Sequence, residues 1–341
     1  MQPPVDDDAR FRPPDDDARF RPPDDDARFR PPGMAAPDEG PRAPEGNPGR
    51  AKRIRVSILL GVLLVVGLAY LRIYLQENWT PDWDQSQLVS VQILVPPNLD
   101  EDEEALLEQL DSFSFADEGI PSITALDDWF SAEQKRYGVA TSSPPVLFSV
   151  VPSKAMRSDP VAPPKGDEPF SERYSKTNAF LDFYTSHRTA SPATNTIYVI
   201  FYRSATHPEF RKIHSVADRR SRSGFVFAAL DDAGAEAAVI NLGHELLHLF
   251  GASDKYEGKQ CAFPAGYAEP FRQPLHPQRF AEVMAQGIPN GPGQSETMIR
   301  TFDEARIGVE TAAEIGWIDE ERRARYYAGD VSAGPVLEEE D

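Results

Sequence analysis

The segment AEAAVINLGHELLHLF, residues 235–250, constrains the fold more than any other part of the chain. Ala237, Val239, Ile240, Leu242, Leu246, Leu247, Leu249 and Phe250 cover almost every direction around a helix, and a helix that is apolar all round is a buried one. Asp231 and Asp232 are its alternative N-caps, and Gly251 is the residue type that accepts a left-handed C-terminal turn. Its last two turns nevertheless contain His244, Glu245 and His248. Buried polar groups cost free energy unless something satisfies them, so these three need partners.

A metal ion is the partner that fits the spacing. His244 and His248 are four apart, so their imidazoles share a helix face and can hold one ion. Glu245 is displaced about 100° round the axis, which suits a carboxylate that contacts a metal-bound water rather than the metal. Catalytic zinc needs a third protein ligand and an open position. The turn at Gly251 delivers Asp254 three residues later, within reach of the same ion. The alternative, two histidines hydrogen-bonded inside a core, requires separate buried partners for both imidazoles and the carboxylate.

HELLHLFGASD resembles the extended zinc motif of the metzincin metallopeptidases, His-Glu-x-x-His-x-x-Gly-x-x-His or Asp. The resemblance implies an α/β (α+β) zincin-like metallopeptidase domain with one Zn2+ ion bound by His244, His248 and Asp254. Glu245 would be the general base and proton shuttle. It also implies a Met-turn, for which AEVMAQG (residues 281–287) supplies Met284, and an edge strand, Gly224–Leu230, that pairs with an extended peptide substrate. Two features depart from the common pattern. The third ligand is Asp, whose charge leaves the metal less electrophilic, and no tyrosine lies two residues after Met284. Tyr256 and Tyr267 are the candidates for stabilising the oxyanion, with packing as the alternative for each. His276 and Cys261 read as a loop histidine and a solitary thiol rather than ligands. Glu269 and Glu282 would supply the distant third ligand of a different zincin class, against which the Gly251/Asp254 spacing argues.

Strands alternating with helices surround this segment and indicate a layered α/β domain over residues 88–328. LVSVQILV (88–95), PVLFSVV (145–151), TIYVIFY (196–202) and GFVFAAL (224–230) read as strands. Leu106, Leu107, Leu110 and Phe113 give a helix its inner face within 101–115. Ser122 can cap another running to about Tyr137, with Ile123, Leu126, Trp129 and Phe130 inward. A further helix is expected near 170–187, TAAEIGW (311–317) reads as a closing helix, and residues 329–341 as an acidic tail.

The N-terminal part is different in kind. Residues 1–53 carry three DDDARFRPP repeats, and 12 of the 32 prolines fall in the first 55 residues, so this stretch reads as a disordered cytoplasmic tail. A docking arm is its functional alternative. Val56 to Leu71 is free of charge, and residues 54–75 are expected to form one transmembrane helix, with 76–87 a linker. The lysines and arginines before it place the N-terminus in the cytoplasm and the catalytic domain outside, periplasmic or extracellular. Trp79 and Trp83 suit the membrane interface, and a cleaved signal peptide is the rival reading. Residues 1–55 hold 11 Lys/Arg against 12 Asp/Glu, so the net charge of −20 falls on the outer domain and excludes nucleic acid as a partner. With Cys261 as the only cysteine, no intrachain disulfide stabilises the domain.

Together these readings give a single-pass cell-membrane protein whose outer domain hydrolyses peptide bonds. The attacking group is zinc-bound water with Glu245 as base, and the substrate is protein or peptide. Two alternatives stand beside it: a non-catalytic, metal-stabilised envelope binding protein, and a metal hydrolase of a non-peptide amide.

Overall fold

The segment Asn195–Tyr202 is buried at all eight positions, which happens only to a strand with both faces covered. A computed structural model describes residues 48–77, 79–111, 123, 125–139, 143–150, 156–165, 167–186 and 191–336. The chain divides into two units, Met1–Val62 and Leu63–Asp341.

The second unit is built on a mixed six-stranded sheet. Its strands are β1 (Gln87–Val95), β2 (Val146–Val150), β3 (Met156–Arg157), β4 (Asn195–Tyr202), β5 (Val216–Asp218) and β6 (Ser223–Ala229), in the order β2-β1-β4-β6-β5 with β3 also on β1. All pairings are parallel except β5 with β6. Residues alternate between two cores with the period of two that a strand imposes. Ile197, Val199 and Phe201 join one cluster, with Val226 and Ala228 of β6. Tyr198, Ile200 and Tyr202 join the other, with Phe225 and Phe227.

Helices cover both faces. On the first lie α2 (Glu101–Asp111), with Leu106, Leu107 and Leu110 buried, and α3 (Ala125–Arg136), with Leu126, Trp129 and Phe130 buried. α5 (Asp232–Phe250) completes that layer. α4 (Phe170–Ser186) covers the second face through Phe180 and Tyr184. α6 (Val309–Glu314) and α7 (Glu320–Tyr327) follow. The mixed α/β layering expected from the strand and helix periodicities is therefore present.

Several expectations are corrected. Gly224–Leu230 is not the edge: β5 pairs with β6 through Val216 with Phe225, Ala217 with Gly224 and Asp218 with Ser223, and is itself the antiparallel edge strand. TAAEIGW is not the closing helix, because α7 follows it, capped by Asp319, whose side chain accepts from the Arg322 N–H. Trp79 and Trp83 belong to the domain. Trp83 is buried, donates to the Ile315 carbonyl at 2.6 Å and meets Phe250 and Trp317 edge-on. Trp79 is half-buried with the Arg222 guanidinium 4.0 Å above its ring. Residues 329–336 of the expected acidic tail also belong to the domain: Ala333 is buried and its carbonyl accepts from Arg322 at 2.7 Å, and the Val336 N–H donates to the Arg136 carbonyl at 2.7 Å. The proline repeats, Phe113, Ser122 and the end of that tail, 337–341, lie outside the described residues.

The expected span at 54–75 falls within α1 (Pro48–Glu77). Its side chains from Val56 to Leu71 are exposed, yet among the described residues no helix is long and apolar enough to cross a membrane.

Candidate metal centre

The site is assembled by the way α5 ends. Its N-terminus is held by Asp231, whose carboxylate accepts from the Gly234 N–H at 2.7 Å. At the C-terminus Gly251 adopts φ 116°, its N–H bonds the His248 carbonyl at 3.1 Å, and the Ala252 N–H reaches back to Leu247 at 2.9 Å. This double bond pattern with a left-handed residue reverses the chain over the helix end. The reversal puts the Ala252 carbonyl 2.8 Å from His248 Nδ1 and carries Asp254 to the face that bears both histidines.

A second segment meets the helix from the other side. Residues 282–286 form a tight turn closed by Ala285 and Gln286 N–H groups on the Glu282 carbonyl, at 2.9 and 3.0 Å. Met284 at its centre is fully buried. The neighbouring Val283 carbonyl lies 3.1 Å from His244 Nδ1. Gln286, with φ 59°, ties the turn to α5 by donating to Asn241 at 3.1 Å.

Those two carbonyls fix the tautomers. A carbonyl only accepts, so each Nδ1 carries the proton and each Nε2 presents a lone pair. His244 Nε2 is 3.3 Å and His248 Nε2 3.2 Å from the same oxygen, Asp254 Oδ1. Three electron-pair donors thus converge with no proton of their own between them, and the cluster can hold a metal ion. Two ligands about 2.0–2.1 Å from a tetrahedral ion stand roughly 3.3 Å apart, the separation seen here. Without a metal the cluster attracts a proton instead. Burial opposes charge on His244, but Asp254, Glu245 and the Val283 carbonyl together raise its pKa above the ordinary imidazole value. His248 is pushed down by burial and by His244. The His244 contact holds Asp254 below the usual carboxylate range.

Glu245 lies on the same turn, buried, with Oε2 unpartnered. Burial pushes its carboxyl up to about 7, against the pull of His244. Beside it runs the sheet edge: a Cβ on Gly224 would stand 3.6 Å from Glu245 Cβ and 3.8 Å from Ala217 Cβ. Tyr256 is exposed beside Asp254, and partial burial followed by the Asp254 charge raises its hydroxyl pKa.

The remaining sequence candidates are placed elsewhere. Tyr267 packs edge-on against Phe263 and His276. Cys261 is buried and donates to the Gly287 carbonyl at 3.3 Å. Glu269 is paired with Arg279, and Glu282 accepts from the Met284 N–H, the Gly308 N–H and the Thr311 hydroxyl, so neither is turned to the centre. The backbone carbonyls of Ala252 and Val283 carry no signature in a sequence, because they act through the fold and not through residue type. No protein-family model matches the chain, and no curated protein sequence matches it.

Proposed function

We propose that the domain is a zinc-dependent endopeptidase of the metzincin type, with the metal held by His244, His248 and Asp254. The observation that carries this reading is the convergence of three lone-pair donors, with Asp254 Oδ1 3.3 and 3.2 Å from the two imidazole nitrogens, beside a buried carboxylate with an unpartnered oxygen. A structural zinc site is usually closed by four protein ligands, often cysteines, whereas this cluster offers three and its Asp254 side chain is 41% exposed. Zinc is the ion chosen because two imidazoles and one carboxylate are its common catalytic donor set. When bound, it would supply Lewis acidity, lowering the pKa of a coordinated water and polarising the substrate carbonyl.

The chain's own residues account for the rest. Glu245 Oε2, free of other hydrogen bonds, takes the proton of the attacking water and returns it to the leaving amine. The Val283 and Ala252 carbonyls keep both imidazoles in the ligand tautomer. An extended peptide would add to the outer edge of β5, whose pairing with β6 brings Ala217 and Gly224 beside Glu245. Tyr256 would assist the developing oxyanion from its place beside Asp254. Met284 would form the floor of the centre from the turn that bonds His244. Membrane anchoring through residues 54–75, with the domain outside the cytoplasm, belongs to the same proposal and rests on the exposed apolar run Val56–Leu71.

The test compares the purified chain with Glu245→Ala, both confirmed to contain zinc, on a mixed library of unstructured peptides read by mass spectrometry. Cleavage should fall by about 10²–10⁴-fold in the variant. Undiminished cleavage would rule out Glu245 as base. No cleavage by a zinc-loaded wild type would point to a non-peptide amide or a binding role.

A further inference from the structure

We propose that Glu314 is the positioning residue for the third ligand, Asp254, and sets the affinity and geometry of the metal centre; this rests on the reading of that centre as a metal site. His244 and His248 are anchored twice, by the helix backbone and by carbonyls on Nδ1. Asp254 lacks the helix backbone that supports them. It lies in residues 252–255, which belong to neither helix nor strand, and fixing each residue of such a segment costs about 1–2 kcal/mol.

Both neighbours of Asp254 are gripped by a single carboxylate. The Ser253 N–H donates to Glu314 Oε2 at 2.8 Å, and its hydroxyl donates to Oε1 at 2.7 Å. From the other side, Lys255 Nζ donates to Glu314 Oε2 at 2.6 Å. The same ammonium donates to the Ser253 carbonyl at 2.8 Å and hydroxyl at 2.9 Å, so the two flanking residues are also tied to each other. Lys255 is only 3% exposed, and an ammonium so buried requires a counter-charge, which Glu314 provides. The Lys255 backbone completes the anchor, donating to the Met284 carbonyl at 3.1 Å and accepting from the Ala262 N–H at 2.8 Å.

Glu314 ends α6, some sixty residues along the chain, and touches neither α5 nor the sheet through these bonds. Its loss would therefore loosen Ser253 and Lys255 on either side of Asp254, while the α5 backbone would still place both histidines. Outer partners that orient a metal ligand in this way are commonly worth 10–100-fold in metal affinity. Glu310, on the same helix, pairs with Arg323 at 2.7 Å and provides a control for damage to α6 alone.

The experiment titrates the full chain with zinc against a chelator of known affinity, and loads it with Co2+ for visible absorption. Variants are Glu314→Ala, Glu314→Gln, Ser253→Ala and Glu310→Ala. Glu314→Ala should weaken zinc binding about 10–100-fold and change the cobalt spectrum, with Glu314→Gln intermediate and Glu310→Ala like wild type. If Glu314→Ala does not fold, Ser253→Ala, at an exposed residue, carries the test with an expected loss of about 3–10-fold. Wild-type affinity and an unchanged cobalt spectrum in the Glu314 and Ser253 variants would overturn the positioning role alone. A wild type that retains no zinc would overturn the metal centre itself, and the positioning role with it.

Discussion

Glu245 and Glu282 are both carboxylates pushed up to about 7 by burial, yet only Glu245 has an unpartnered oxygen. Glu282 spends its oxygens on the Met284 and Gly308 N–H groups and the Thr311 hydroxyl, so its work is to hold the turn below His244. That difference predicts different consequences of substitution. Replacing Glu245 should remove activity without breaking a hydrogen bond at Oε2. Replacing Glu282 should change the pH dependence of folding. Because its folded pKa of about 7 exceeds the ordinary 4.5, the folded chain binds this proton more tightly than the unfolded one. Acid therefore favours folding in that window: the burial cost is absent below about 4.5, grows as pH rises, and is complete above about 7. At about 1.4 kcal/mol per unit, roughly 3.5 kcal/mol is the upper bound. Denaturant unfolding of wild type and Glu282→Gln across pH 4–8 should show the wild type losing ground to the variant as pH rises. A constant difference would mean that folding leaves the Glu282 carboxyl titrating as it does in the unfolded chain.

The ends of α5 have separable roles, and single substitutions should separate them. Gly251→Ala forces a side chain to φ 116°, against the Arg219 guanidinium 3.0 Å away, and should cost about 1–2 kcal/mol. It should also weaken metal binding, because the same turn presents the Ala252 carbonyl and Asp254. Asp231→Ala removes the N-cap and should cost about 1 kcal/mol with metal affinity unchanged. Unfolding and chelator competition on both variants give the comparison, and equal metal loss in the two would contradict it. This helix was the most legible element because every signal in it agrees: an N-cap aspartate, an all-round apolar surface, a terminal glycine and the spaced histidines. Strands β1, β4 and β6 were legible for the related reason that burial on both faces leaves near-continuous apolar runs. By contrast, α7 reads EERRARYY and buries only Tyr326, so no periodic apolar pattern marks it. The edge strand β5 escaped notice too, since its three residues, Val216–Asp218, face solvent on one side and acquire strand character only by pairing with β6.

On the scale of the whole domain, the centre joins segments that the sequence keeps apart. α5, residues 252–255, the 282–286 turn and α6 meet there through His244, Asp254, Val283 and Glu314. Trp83, which reads as a membrane-interface residue, is drawn into the same body through Phe250 at the end of α5. Without a disulfide, these junctions are held by packing, by hydrogen bonds and ion pairs, and by any ion that the three donors can hold. Metal removal should therefore act on global stability and not just on activity. A ligand present at a hundredfold over its dissociation constant contributes about 2.7 kcal/mol to the folded state, provided the unfolded chain does not bind it. For a domain of this size that corresponds to roughly 5–10 °C in Tm. Chelation should lower the Tm of the wild type by about this amount, and zinc should restore it. His244→Ala, lacking one ligand, should melt at the same temperature with and without chelator. Hydrogen exchange would show where the effect enters: amides of residues 252–256 and 282–286 should lose protection first, while those of β4, buried on both faces, should change only with the global transition. If chelation leaves both Tm and local protection unchanged in a chain shown to carry zinc, the three donors do not hold the ion, and the centre lies elsewhere.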